Sequence, residues 1–181
     1  MDINEKVRLV QKKEVELLKI FSDICEKNNL TYYALGGTLL GAIRHGGFIP
    51  WDDDMDLGMP REDYDKFIKI ANSELPKHII LKTHTDNLGN TSIRDTATVV
   101  TFGTTDCNPF LDIFPLDGFP DKGFSQWKHE KHILFYRMLS KLSVVHEISD
   151  RDRGKFENAL VKVAKVTKID RFLNTEKINK K

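Results

Sequence analysis

The chain has 181 residues, 40% of them hydrophobic, and its 28 basic and 27 acidic residues leave a formal net charge of +1. That length suffices for one domain with a real core. The balanced charge offers no basic excess for nucleic acid, and no run of about 20 apolar residues provides a membrane span.

Met1-Asp2-Ile3-Asn4 lacks the basic-then-apolar pattern of a signal peptide. A cytoplasmic protein is expected, with peripheral association at the inner face of the membrane left open. Cys25 and Cys107 match no metal spacing and are expected to be reduced thiols, Cys25 within the core.

Residues 5–28 read as a helix, because Val7, Val10, Leu17, Phe21 and Ile24 recur at helical spacing and Asn28-Asn29 ends the pattern. Tyr32 to Leu35 is a short apolar run, expected to be a buried strand. Gly36 and Gly37 end it, and Thr38 is expected to cap a short helix over Leu39 to Arg44. A strand, a Gly-Gly-hydroxyl turn and a helix start together can hold a phosphate, since free N–H groups and the helix dipole point at it. The plain alternative for Gly-Gly is an ordinary turn.

His45-Gly46-Gly47 breaks that helix, and Phe48 to Trp51 leads into Asp52-Asp53-Asp54-Met55-Asp56. A strand over Asp54 to Met59 puts Asp54 and Asp56 on one face, about 7 Å apart, with Met55 and Leu57 turned into a core. Two carboxylates beside a phosphate-binding turn suit Mg²⁺-dependent phosphoryl transfer. The rivals are a solvated acidic loop and a Ca²⁺ loop, with Asp52, Asp54, Asp56 and Asp63 at positions one, three, five and twelve. The Ca²⁺ loop fails at its sixth position, where Leu57 stands in place of the required glycine.

Pro60 opens a second helix over Arg61 to Leu75, with Tyr64, Phe67, Ile68 and Ala71 on its apolar face and Pro76 closing it. Strands follow at Ile79–Lys82, Ser92–Arg94 and Thr98–Phe102, with a turn at Asn87 to Asn90. Arg94 either clamps a transferring phosphate or makes a surface ion pair. Phe110 to Phe114 is a strong strand with Asp112 in its middle. A carboxylate inside an apolar strand needs a partner, and a metal shared with Asp54 and Asp56 would serve. Helices over 126–145 and 153–166 complete the pattern. Trp127, Ile133, Leu134, Met138, Leu142 and Val145 are candidate core, and His129, His132 and His146 read as surface or structural.

Gly36-Gly37-Thr38-Leu39-Leu40-Gly41, Arg44, Phe48 and Pro50-Trp51-Asp52-Asp53-Asp54-Met55-Asp56, in this order, resemble the LicD family of phosphocholine transferases. That family includes the fukutin-related proteins and belongs to the nucleotidyltransferase-fold superfamily. The resemblance runs over roughly residues 17–117, including Asp112-Ile113-Phe114-Pro115-Leu116-Asp117. It implies an α/β (α+β) fold, a nucleotidyltransferase-like small mixed β-sheet flanked by helices. Residues 1–181 would form a single domain, either a short member of the family or a C-terminally truncated one.

The function implied is transfer of phosphocholine from CDP-choline, or a similar CDP-linked donor, to a sugar hydroxyl of a cell-surface glycan, teichoic acid or lipopolysaccharide. Asp54, Asp56 and Asp112 would hold Mg²⁺ or Mn²⁺, and Asp112 would also take the acceptor's proton. Gly36, Gly37 and Thr38 would cradle the donor phosphates. Arg44 and Arg94 would stabilise developing charge, and Trp51, Asp52 and Asp53 would contact choline or the acceptor. The alternatives are a nucleotidyltransferase acting on a small molecule and a degenerate nucleotide-binding domain.

Overall fold

The computed structural model describes residues 3–83, 91–102 and 105–143. In chain order its elements are α1 (Ile3–Lys27), β1 (Tyr33–Ala34), α2 (Gly36–His45), β2 (Asp56–Pro60), α3 (Arg61–Glu74), β3 (Ile79–Thr83), β4 (Thr91–Asp95), β5 (Val100–Phe102), β6 (Thr105–Cys107), β7 (Phe110–Leu116) and α4 (Phe124–Ser143). The chain divides into two compact units, Met1–Thr83 with Asn90–Asp117, and His84–Gly89 with Gly118–Lys181.

The first unit is built on a five-stranded mixed sheet of order β1-β2-β7-β4-β3. Only β2 and β7 run parallel, and the other neighbouring pairs are antiparallel. Alternation along the strands sends Leu57, Met59, Ile93, Leu111 and Ile113 to one face, where each is at most 1% exposed. The apolar stripe of α1 and that of α3 close over this face. Phe21 meets Phe67 edge-on, ring centroids 5.0 Å apart, and Leu17, Ile24, Tyr64 and Ala71 join the same core. The fold class expected from the sequence, a small mixed sheet flanked by helices, is the one observed.

Helix limits follow the sequence signals. After α1, Asn28 Nδ2 donates back to the carbonyl of Ile24, and Asn29 turns the chain at φ 52°. Pro60 occupies the position before α3, with Glu62 and Asp63 in the first turn. Leu75, forced extended by Pro76, ends that helix.

Four expectations change. The run Tyr32 to Leu35 gives only the two-residue β1, an edge strand with Tyr33 exposed, because β2 is its single neighbour. The expected strand over Asp54 to Met59 begins later, at Asp56. The expected strand Thr98 to Phe102 shortens to β5, which pairs with β6 in a separate two-stranded ribbon. In α4, Trp127, Ile133, Leu134 and Met138, expected in a core, are exposed.

Within the second unit, His129 packs edge-on to Phe119, and His132 to Tyr136. The turn at Asn87 to Asn90, the Leu142 side chain, Val145, His146 and the helix 153–166 lie outside the described residues. No helix among the described residues is long and apolar enough to cross a membrane.

Candidate functional site

The site is assembled at β2, β7 and the start of α2. Asp56 opens β2 and lies directly beside Asp112 on the parallel strand β7. Residues in register on parallel strands project to the same face, so the two carboxylates stand side by side, opposite the apolar face carrying Leu57 and Ile113. The amide of Asp112 donates to the carbonyl of Met55 at 2.9 Å, which locks this register. On the far side of Asp112, Ser92 of β4 is its register partner. Arg94 donates from Nε to Ser92 Oγ at 3.0 Å and lies 4.7 Å over the Phe110 ring. Arg94 is therefore a half-buried, stacked guanidinium on the sheet face that carries Asp56 and Asp112.

Helix α2 brings the glycine pair to the same place. Gly36 starts the helix at φ 48°, a left-handed conformation that favours glycine, and a Cβ there would lie 3.7 Å from Asp56 Oδ2. A Cβ on Gly37 would lie 2.7 Å from Asp52 Oδ2. The start of α2 thus faces carboxylates, where its dipole favours negative charge. Thr38 is not the helix cap. The helix begins two residues before it, and Leu35 takes the cap position without a side-chain hydrogen bond. Thr38 Oγ1 instead accepts the backbone N–H of Asp56 at 2.9 Å, tying α2 to β2. Gly41 lets α2 meet the following loop, since a Cβ there would come within 2.5 Å of the Gly47 carbonyl oxygen.

The remaining expected residues are spread around this centre. Asp52 is half-buried, whereas Asp53 and Asp54 are exposed ahead of β2. Trp51 is 77% exposed. Arg44 is exposed in the last turn of α2. Eight residues separate it from Gly36, about 12 Å along the helix axis, so it stands apart from the paired carboxylates.

Electrostatically the centre is strained. Burial first, then the charges of Asp54, Asp112 and Asp52, push the Asp56 carboxyl up from its ordinary value. Burial, then Asp54, does the same to Asp52. One participant escaped the sequence reading. Glu14 of α1 is fully buried and is raised to about 9, by burial first and then by Asp54, Asp53, Asp52 and Asp112. Its signal was present in the helical spacing: position 14 falls in the stripe Val10, Leu17, Phe21, Ile24, so an acid there had to be buried.

Hard oxygen donors crowded until they repel one another match the chemistry of Mg²⁺ or Mn²⁺. Among the described residues, however, no group of three or more His, Cys, Asp or Glu side chains is drawn together closely enough to hold a metal ion. A cation here requires the carboxylates to turn toward it.

Residues 29–163 match the family described as LicD/FKTN/FKRP, nucleotidyltransferase domain. The chain belongs to this LicD/FKTN/FKRP family. It is 39% identical over 114 residues to the lipopolysaccharide cholinephosphotransferase LicD of Haemophilus influenzae, a stretch covering 60% of this chain and 43% of that protein. It is 43% identical over 51 residues to the ribitol 5-phosphate transferase FKRP of Homo sapiens, covering 28% of this chain and 10% of that protein. The Mus musculus FKRP matches equally. The chain thus spans less than half the length of these LicD and FKRP relatives. The family resemblance drawn from Gly36 to Asp56 is borne out.

Proposed function

We propose that this chain is the transferase domain of an enzyme that moves a substituted phosphate, foremost phosphocholine, from a CDP-linked donor to a sugar hydroxyl of a cell-surface glycan. The observation that carries this reading is the Asp56–Asp112 pair beside the glycine turn of α2, in a chain 39% identical to a lipopolysaccharide cholinephosphotransferase. Lipopolysaccharide is accordingly the first acceptor to try, with teichoic acid next. The FKRP match supports a phosphate-linked polyol, ribitol, as the second head group to try.

In this reaction the acceptor hydroxyl oxygen forms a new bond to the phosphocholine phosphorus. The bond from that phosphorus to the CMP oxygen breaks, and its electron pair leaves with CMP. Asp112 receives the hydroxyl proton. Arg94, held by Ser92 and Phe110, stabilises negative charge developing on the transferring phosphate. The N–H groups of Gly36, Gly37 and Thr38 meet the donor phosphates at the start of α2. Trp51 offers an exposed ring face to a cationic choline, while Asp52 and Asp53 flank it. Arg44 meets a part of the substrate away from the carboxylates. Asp54, Asp56 and Asp112 would hold Mg²⁺ or Mn²⁺, which when bound neutralises charge across the donor pyrophosphate.

The test is calorimetric titration of CDP-choline, CDP-ribitol, CTP and ATP with Mg²⁺, repeated with Asp56→Ala, followed by product analysis. Metal-dependent binding of CDP-choline, lost in the variant, with release of CMP is the expected result. Preferential binding of CTP or ATP with release of pyrophosphate would replace this reading with nucleotidyl transfer to a small molecule. Absence of binding by any of them would reject both in favour of a degenerate domain.

A further inference from the structure

Glu14 has no place in the chemistry just described, yet its position is costly. It is fully buried in the middle of the apolar stripe of α1, and neither carboxyl oxygen has a hydrogen-bond partner. A methionine or leucine would fill this volume without a desolvated acid. The side chain one turn earlier explains where α1 is pinned. Gln11 Nε2 donates to the carbonyls of Asp52 at 2.7 Å and Ile49 at 3.3 Å, fastening this part of the helix against the start of the acidic run. The charges that act on Glu14 all belong to that run and to Asp112.

We propose that Glu14 is the buried fourth carboxylate of the cation site, an oxygen donor behind Asp52, Asp53 and Asp54 that completes the set formed by Asp54, Asp56 and Asp112. The proposal rests on the cation-dependent reading above. Two features support it: the unpartnered oxygens need a positive partner, and the crowded aspartates need the same one. A divalent ion among the aspartates also cancels the field that keeps Glu14 protonated in the cation-free protein. Its carboxyl lies in a dry environment, where an ion–carboxylate interaction is less screened than at the surface.

The experiment titrates Mn²⁺ alone into the wild-type chain, Glu14→Gln, Glu14→Met and Asp112→Asn, following affinity by calorimetry and folding by thermal melts. The expected result is a loss of Mn²⁺ affinity of about ten- to a hundredfold in both Glu14 variants, as for residues that support a metal site, with a greater loss in Asp112→Asn. In the cation-free state both Glu14 variants melt no lower than the wild type, because an unpaired buried acid has been removed. Wild-type Mn²⁺ affinity in Glu14→Gln and Glu14→Met, with loss only in Asp112→Asn, would reduce Glu14 to a core acid and leave the cation reading standing. No Mn²⁺ binding by the wild type would overturn both.

Discussion

Asp56 and Asp112 are register partners on the only parallel strand pair of the five-stranded sheet. Their side chains share the face that also carries Ser92 and Arg94. Mutual repulsion in this pair contributes to the raised Asp56 carboxyl, and a ligand that brings positive charge relieves it. Asp56→Asn and Asp112→Asn should each abolish transfer from CDP-choline while melting at or above the wild-type temperature without cation. Substantial turnover in either variant would remove that residue from the site.

Arg94 and Arg44 separate by position. Arg94→Ala should lower turnover by about 10²–10³, the usual cost of removing a donor to developing negative charge. Arg44→Ala, at the exposed end of α2, should act mainly through KM for one substrate. Kinetic constants for the two variants check this. A larger kcat effect at Arg44 than at Arg94 would reverse the assignment.

Thr38→Val retains shape but leaves the Asp56 N–H without its 2.9 Å acceptor. The expected loss is about 1–3 kcal/mol of stability, the penalty for an unsatisfied buried donor, along with weaker binding of the donor nucleotide. Thr38→Ser, which keeps the oxygen, should restore most of both. Denaturant unfolding of the two variants is the measurement.

Gly41 and Gly47 make a matched pair. A Cβ at Gly41 would press on backbone atoms, the Gly47 oxygen at 2.5 Å and the Ile49 nitrogen at 2.9 Å, whereas one at Gly47 meets nothing within 4 Å. Gly41→Ala should therefore destabilise by about 1–3 kcal/mol, as overpacking does, and displace the loop leading to Asp52. Gly47→Ala should be nearly neutral. Equal melting temperatures for the two would mean that α2 and the loop are not in the contact described.

Asp117 accepts two hydrogen bonds from Arg61, at 2.7 and 2.5 Å, and this partner holds its carboxyl below the ordinary 3.8. Because the folded value is depressed, the stabilisation is present above the unfolded value and is lost as pH falls through the folded one. Both partners are partly exposed, so the pair contributes at most about 1 kcal/mol. Asp117→Asn should be less stable than the wild type at neutral pH, and the difference should vanish in acid. A difference that persists at pH 2 would point to packing rather than charge.

The residues that identify the family were legible because they are consecutive. The order Gly36-Gly37-Thr38, Arg44 and Pro50 to Asp56 is a local pattern, and so are the stripes that form α1 and α3. Asp112 was found as a carboxylate stranded among Phe110, Leu111, Ile113 and Phe114, but its place beside Asp56 is a matter of strand register, which no local pattern fixes. The role of Thr38 was misread for a related reason. Helix-cap chemistry is a local preference, and a tertiary contact with the Asp56 amide overrode it. The shortness of β1 reflects sheet order, since an edge strand has one neighbour to extend along. Glu14 shows the division within one side chain: its spacing in α1 required burial, but only the packing of that helix against the loop at Ile49 and Asp52 decided that it would be buried beside other acids.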